Sequence, residues 1–247
     1  SIVLIVFGWL SGCNFRLAGK DWGVVFLLSL LRAVTSFSLI IAYQNIASGV
    51  ASTIHFMYPL AVALAMMFFF REKKSLLVIL AVLMSLLGAA LLSLGELEAK
   101  SGNTMVGLVA ACVSVFSYAG YIVGVRTTRA VQINSTALTC YVMGLGTIFY
   151  LIGAYCTSGL QLVSDGYTWL IILGLALPAT AISNITLVQA IKYAGPTLTS
   201  ILGAMEPLTA VVIGVFVFKE LFTVNSAVGI ILILLAVSIV VFRRQKS

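Results

Sequence analysis

Long apolar runs separated by short polar interruptions set the pattern of this chain. Reading from one interruption to the next gives eight apolar stretches, at about 22–44, 49–70, 75–95, 105–125, 136–157, 168–191, 194–218 and 221–242. Each is close to or longer than the roughly 20 residues that a helix needs to cross a hydrocarbon core of about 30 Å. The runs are continuous rather than alternating, which points to spanning helices and away from a membrane barrel. Turn-forming residues divide them at Asn14–Asp21, Gly95–Asn103, Gln132–Ser135 and Ser158–Gly166. Trp22, Tyr167 and Trp169 stand at the ends of runs, where amphipathic rings favour the membrane interface. The opening run Ser1–Leu10 is too short to span and reads as half a helix. It has neither the positive flank nor the small-residue site of a cleavable signal peptide.

Composition narrows the class. The chain has 247 residues, 62% hydrophobic and 9% charged, with a mean hydropathy of +1.17. Soluble domains are about 45–50% apolar and about 25% charged, so an ordinary soluble enzyme, a disordered tail and a disulfide-stapled domain are excluded. The net charge of +7 does not indicate nucleic acid, because the basic residues sit between apolar runs: Arg71, Lys73 and Lys74; Arg126 and Arg129; Arg243, Arg244 and Lys246. With the carboxy terminus placed inside, eleven of the fourteen Lys and Arg residues face the cytoplasm. Lys100 and Lys219 fall outside, and Arg32 lies within a span. The positive-inside rule therefore predicts a multi-pass protein of the cytoplasmic membrane with a cytoplasmic carboxy terminus. Cys13, Cys112, Cys140 and Cys156 are scattered singly, and His55 is the only histidine. That spacing supports neither a metal site nor a cofactor.

Sliding the chain against itself by 148 positions brings related residues together. Pro59-Leu60 meets Pro207-Leu208, Phe68 and Phe70-Arg71-Glu72 meet Phe216 and Phe218-Lys219-Glu220, and Met57 meets Met205. The second copy holds five spans from about Met105. The same offset places the start of the first copy about 43 positions before Ser1, so the expected whole is ten helices, with about eight and a half present here. The expected division is a first repeat over 1–97 and a second over 104–244. A unit with an odd number of spans ends on the side opposite its start, so the second repeat is inverted. Inverted repeats are a recurring architecture of secondary transporters, with the binding site near the midplane. The predicted fold is an all-α, multi-pass bundle of two inverted five-helix repeats.

Gly203-Ala204-Met205-Glu206-Pro207, Phe218-Lys219-Glu220 and the apolar run around Gly229 resemble the last two helices of EamA-type proteins of the drug/metabolite transporter superfamily. Ala190–Gly195 and Ala42–Glu72 share the resemblance, which covers essentially the whole chain. It implies a ten-helix fold of inverted five-helix repeats that moves small metabolites, amino-acid-like solutes among them.

Two ionisable side chains lie deep in the spans. Arg32 is ten residues past Trp22, and Glu206 is ten past Pro196. Both are therefore about 15 Å from the inner interface. A charge at that depth costs at least about 2.5–3.5 kcal/mol on insertion scales and needs a polar cavity or a partner. On one reading both line a central cavity, with Arg32 holding a substrate carboxylate and Glu206 an amine or a coupling proton. On the other they lock two helices as an ion pair, or Glu206 is neutral and bonds backbone freed by Pro207. His55 is a second proton-coupling candidate or a packing residue. Pro59 and Pro207 are hinge candidates or simple bends. Ser183 and Asn184 sit in a polar stretch with Pro178, Thr180 and Thr186, whose repeat image contains Arg32, Thr35 and Ser36. Ser36, Ser183 and Asn184 are therefore cavity candidates. Tyr118, with Tyr121 and Tyr141, is a candidate for the cavity's aromatic wall. Lys192 reads as a snorkelling residue. Gly8-x-x-x-Gly12 and Gly120-x-x-x-Gly124 permit close helix approach, within a monomer or in a homodimer.

The expected function is secondary active transport of small organic metabolites by alternating access, most consistent with efflux. Its partners would be a small-molecule substrate, the lipid bilayer and a coupling proton. A non-transporting membrane sensor or scaffold is the alternative. An enzyme is not expected, since HExxH and GxSxG motifs are both lacking, and the missing Walker A sequence excludes ATP drive.

Overall fold

A computed structural model of the chain describes residues 15, 17–46, 48–71, 76–93, 102–157, 165–175, 180–203, 205–216 and 224–245. Its helices are α1 (Trp22–Asn45), α2 (Ser48–His55), α3 (Tyr58–Phe69), α4 (Leu76–Ser93), α5 (Thr104–Thr127), α6 (Ser135–Thr157), α7 (Gly166–Leu175), α8 (Ser183–Ala194), α9 (Pro196–Leu202), α10 (Met205–Phe216) and α11 (Val224–Gln245). Among the described residues there is no strand. The first half-helix, Gly8 and Gly12, Glu72, Pro178, Lys219 and Glu220 lie outside them.

The polar interruptions act as helix caps. Asn103 Oδ1 accepts from the backbone N–H groups of Met105 (3.1 Å) and Val106 (3.2 Å) at the start of α5. Asn134 Oδ1 accepts from Thr136 N–H (2.9 Å) before α6. Asp165 Oδ2 accepts from Thr168 N–H (3.1 Å) before α7. These side chains satisfy donors that the first turn of a helix leaves open. The Thr168 backbone N–H holds the Asp165 carboxyl below the usual carboxylate range, helped by the Thr168 hydroxyl.

Two predicted spans are interrupted rather than continuous. The 49–70 stretch breaks at Phe56-Met57 into α2 and α3, and the 194–218 stretch breaks at 203–204 into α9 and α10. The 168–191 stretch holds α7 and α8, with residues 176–179 outside the described ones and a wide π-type turn over 180–182 leading into α8. Adding 148 to the bounds of α2, α3 and α4 gives 196–203, 206–217 and 224–241. These fall on α9, α10 and α11 to within a few residues. The helix breaks therefore recur with the sequence repeat.

Contacts divide the chain into two units, one of residues 1–33 with 124–195, the other of 34–123 with 196–247. Each unit draws on both sequence halves. In the first, α6 packs on α8, and Cys140, Ala181 and Ile185 form a core joined by Phe15 and Met143. Gly124 faces Leu28 in this unit.

In the second unit, α4 packs along α11 and α3 packs on α9. Ala63, Met67, Ala81, Val82, Ile201 and Ala236 form its largest buried cluster. The approach of α4 to α11 depends on small residues: a methyl group on Gly88 would meet the Gly229 carbonyl oxygen and Ile233 Cγ1, each at 2.7 Å. Under the 148-residue shift Gly88 becomes Ala236 and Gly229 becomes Ala81, and both alanines are fully buried in that cluster. Close approach by small residues is the packing device expected in lipid, where the hydrophobic effect does not drive helices together. The opposite face of α4 exposes Leu76, Leu77, Leu80, Leu83 and Leu87, a stripe suited to acyl chains.

Gly88→Ala should destabilise the protein by about 1–3 kcal/mol, because a backbone oxygen must shift. Gly23→Ala, which meets nothing within 4 Å, should be neutral or slightly stabilising. Thermal unfolding in detergent compares the two. Equal midpoints would contradict the packing account.

Candidate functional site

The first unit places an arginine against an amide in the middle of apolar helices. Arg32 Nη2 on α1 donates to Asn184 Oδ1 on α8 at 3.1 Å, and Asn184 Nδ2 donates to the Thr180 carbonyl at 2.7 Å. A guanidinium can only donate and a carbonyl can only accept, so both ends of the Asn184 amide have fixed roles. Asn184 is 6% exposed, while Arg32 is half-buried. The π-type turn immediately precedes Asn184, and such turns are frequent at functional sites. Ser183, its neighbour on α8, is exposed. The pair is a preorganised donor surface: one guanidinium, oriented by an amide that is itself anchored to backbone.

At the inner end of this unit by the predicted orientation, Lys192 is 8% exposed, which overturns the snorkelling expectation. Its Nζ donates to the Ile133 carbonyl, and its own carbonyl accepts from Arg126 Nη1 at 2.5 Å. The short 3₁₀ turn Arg129–Gln132 ends just before Ile133, bringing that carbonyl to the lysine. Arg129 Nε also lies 3.4 Å from Asp21 Oδ1. Tyr141 donates to the Phe15 carbonyl at 2.6 Å and packs edge-on against Trp22. With Phe15, Trp22, Cys140, Gly144 and Leu145 it lines an apolar recess of about 340 Å³.

The second unit holds an aromatic and hydroxyl cluster around His55. His55 Nδ1 lies 2.9 Å from Ser114 Oγ, and Ser114 Oγ lies 2.6 Å from the Ala111 carbonyl, to which it donates. With the single hydroxyl proton committed to Ala111, Ser114 can only accept from the ring. Nδ1 therefore carries the hydrogen. Tyr58 and Tyr118 flank the imidazole, with ring centroids at 5.6 and 5.4 Å. Tyr118 meets Tyr58 edge-on at 4.7 Å and stacks on Tyr121 at 6.3 Å. Thr35 donates to Ser117 at 3.0 Å, tying α1 to α5. Ser36 is half-buried.

The helix breaks meet in this unit. Pro59 is the second residue of α3 and is buried, and the turn before it closes through Met57 N–H to the Ile54 carbonyl at 2.9 Å. Glu206 is exposed, in the first turn of α10, with its N–H bonded to the Gly203 carbonyl at 3.0 Å. Pro207 follows it on the backbone of α10. A side chain at Gly203 would collide with Tyr58 Oη, so the tyrosine occupies the space that the glycine leaves.

A sequence model described as the EamA-like transporter family matches residues 1–94 and 105–242. The chain belongs to that family. It is 28% identical over 238 residues to an uncharacterized transporter of Archaeoglobus fulgidus, across 95% of this chain and 83% of that protein. A protein known from a crystal structure has the same fold, with a TM-score of 0.82 at 19% identity, across 100% of this chain and 85% of that one. This EamA-like chain is thus a multi-pass membrane transporter.

The sequence marked Arg32 and Asn184 separately but not as partners, because helix rotation decides which polar residues face each other. It missed Tyr58 and Gly203. Their signal was present in the repeat alignment, where Tyr58 falls on Glu206 and Gly203 on His55. The Tyr58–Gly203 contact, which joins the two copies, thus has as its image two medium-sized ionisable residues, Glu206 and His55.

A double-mutant cycle on Arg32→Ala and Asn184→Ala should return a coupling of about 0.5–3 kcal/mol in unfolding experiments. Strictly additive effects would mean that the pair contributes nothing together.

Proposed function

We propose that this protein is a secondary active transporter that exports small organic solutes bearing a carboxylate, amino-acid-like molecules among them, by alternating access. The observation that carries the reading is the Arg32–Asn184 pair, a guanidinium held by an amide within otherwise apolar helices. A buried charge in a bilayer protein marks a substrate or ion pathway more often than a structural device. Arg32 would hold the carboxylate in a charge-assisted hydrogen bond, Asn184 would set the guanidinium's orientation, and Ser183 and Ser36 would offer hydroxyls to the rest of the solute. Tyr118 would supply an aromatic wall, and the breaks at Pro59 and Pro207 would act as hinges.

The recurrence of the broken helices in both repeats supports alternating access, because inverted repeats provide two related arrangements around one site. The lysine and arginine distribution supports placement in the cytoplasmic membrane with the carboxy terminus inside. The proposed protein works as a monomer or homodimer and needs no cofactor.

The test is counterflow in proteoliposomes with a panel of radiolabelled amino acids and short carboxylic acids. Saturable exchange of at least one panel member is expected. Arg32→Ala should reduce it about tenfold or more, as loss of a charged hydrogen bond of about 1.5–3 kcal/mol requires. Arg32→Lys should recover only part of it, since an ammonium lacks the fork geometry. Undiminished exchange by folded Arg32→Ala protein would remove Arg32 from the binding site.

A further inference from the structure

The apolar recess of the first unit lies beside positive charge that the fold does not use. Its lining residues on α6 are Cys140, Tyr141, Gly144 and Leu145. They stand five to ten residues past Ser135, the first residue of the helix. At 1.5 Å per residue the recess therefore covers about 8 to 15 Å of the helix axis. That is the depth of lipid acyl chains rather than of headgroups.

The lining suits hydrocarbon and little else. Its one hydroxyl is committed, because Tyr141 donates to the Phe15 carbonyl at 2.6 Å. Neither Arg32 nor Asn184 is among the lining residues. A polar solute would lose its hydrogen bonds to water there without replacement, and apolar cavities of this kind do not hold water well. The recess is thus unlike the Arg32–Asn184 site.

The mouth has the opposite character. Trp22, which lines the recess and is exposed, directly follows Asp21, whose Oδ1 lies 3.4 Å from Arg129 Nε. The Arg129 side chain is 54% exposed. Among the described residues Asp21 is its ionic partner, and both Nη groups are left for another acceptor. Lys20, in the 3₁₀ turn Gly19–Asp21, is exposed, as is Arg126, three residues before Arg129. Three exposed cations therefore accompany one carboxylate. Asp21 fixes Arg129 without cancelling the excess.

We propose that this end of the unit binds one anionic phospholipid, with an acyl chain in the recess and the phosphate on Arg129 and Lys20. A guanidinium fork matches phosphate oxygens in pairs, and basic pockets between spanning helices are a recurring means of holding lipid headgroups. The edge-on Trp22 and Tyr141 rings lie between the two ends of such a lipid, at the interface level that amphipathic aromatics favour. A zwitterionic lipid is a poorer fit, because its ammonium would join a cluster that is already positive. The bound lipid fastens the segment entering α1, through Phe15 and Trp22, to α6. The inference rests on membrane placement alone and is independent of the transport reading.

Trp22 serves as the reporter. The chain has three tryptophans, and Trp9→Phe with Trp169→Phe leaves Trp22 alone. In proteoliposomes, phosphatidylglycerol or phosphatidylcholine with dibrominated acyl chains replaces part of the unbrominated lipid, and quenching of Trp22 is measured. Phosphatidylglycerol should be preferred about fivefold or more, the worth of one Lys or Arg near a membrane surface. Arg129→Gln with Lys20→Gln should bring the two lipids level. Lys20→Gln alone should lower the preference, which gives a reading if loss of the Arg129–Asp21 contact unfolds the protein. Gly144→Leu extends into open space and fills the recess with every charge kept, so it should remove the preference. General attraction of anionic lipid to a basic surface would survive that substitution. Equal quenching by the two lipids, a preference undiminished in Gly144→Leu, or shielding of Trp22 from both lipids, as a second copy seated on the recess would give, would each overturn the proposal.

Discussion

Polar groups within a bilayer must find their partners inside the protein, because the hydrocarbon core offers no water. In this chain that constraint selects the places where helices stop. α1, α5 and α6 satisfy their backbone internally, and the interrupted spans expose carbonyl and amide groups at the breaks that must be closed locally. Met57 bonds to Ile54 and Glu206 to Gly203, each through a tight turn that keeps the backbone paired while the axis is broken. Candidate side chains collect at these interruptions: His55 and Tyr58 flank one and Gly203 and Glu206 the other, while Asn184 follows the π-type turn that leads into α8.

The same constraint explains the chemistry of the two polar clusters. Arg32 is anchored by an amide whose other end is tied to backbone, so its guanidinium is held in a fixed orientation. His55 is held by Ser114, which fixes the tautomer. In each unit a fixed neighbour defines what the ionisable group can do.

Much of this was legible in the sequence because bilayer thickness imposes a length that composition reveals. The apolar run at 22–44 became α1 at Trp22–Asn45, and the 105–125 and 136–157 runs became α5 and α6 with similar bounds. The repeat was legible because Pro59 and Pro207 keep their separation from a basic–glutamate pair. Partner choice was not legible. Whether Arg32 meets Asn184 depends on the rotation of α1 against α8, which a composition dominated by Leu, Ile and Val does not encode residue by residue. The burial of Lys192 was hidden for a different reason: a 3₁₀ turn about sixty positions earlier in the chain supplies the carbonyl that receives it. Tyr58 looked like one aromatic among many until its repeat mate Glu206 was set beside it.

The central claim is that the inner and outer halves of the broken helices exchange burial about the internal two-fold. Spin labels at Phe68 and Leu198, on α3 and α9, report the inner halves. Their repeat mates Val50 and Phe216, on α2 and α10, report the outer halves. Pulsed distance measurements on the two pairs, with and without a solute that exchanges in the counterflow panel, test the claim directly. Whichever of the Phe68–Leu198 and Val50–Phe216 distances lengthens on adding the solute, the other should shorten. Two unchanged distances, or two that move in the same direction, would contradict the account.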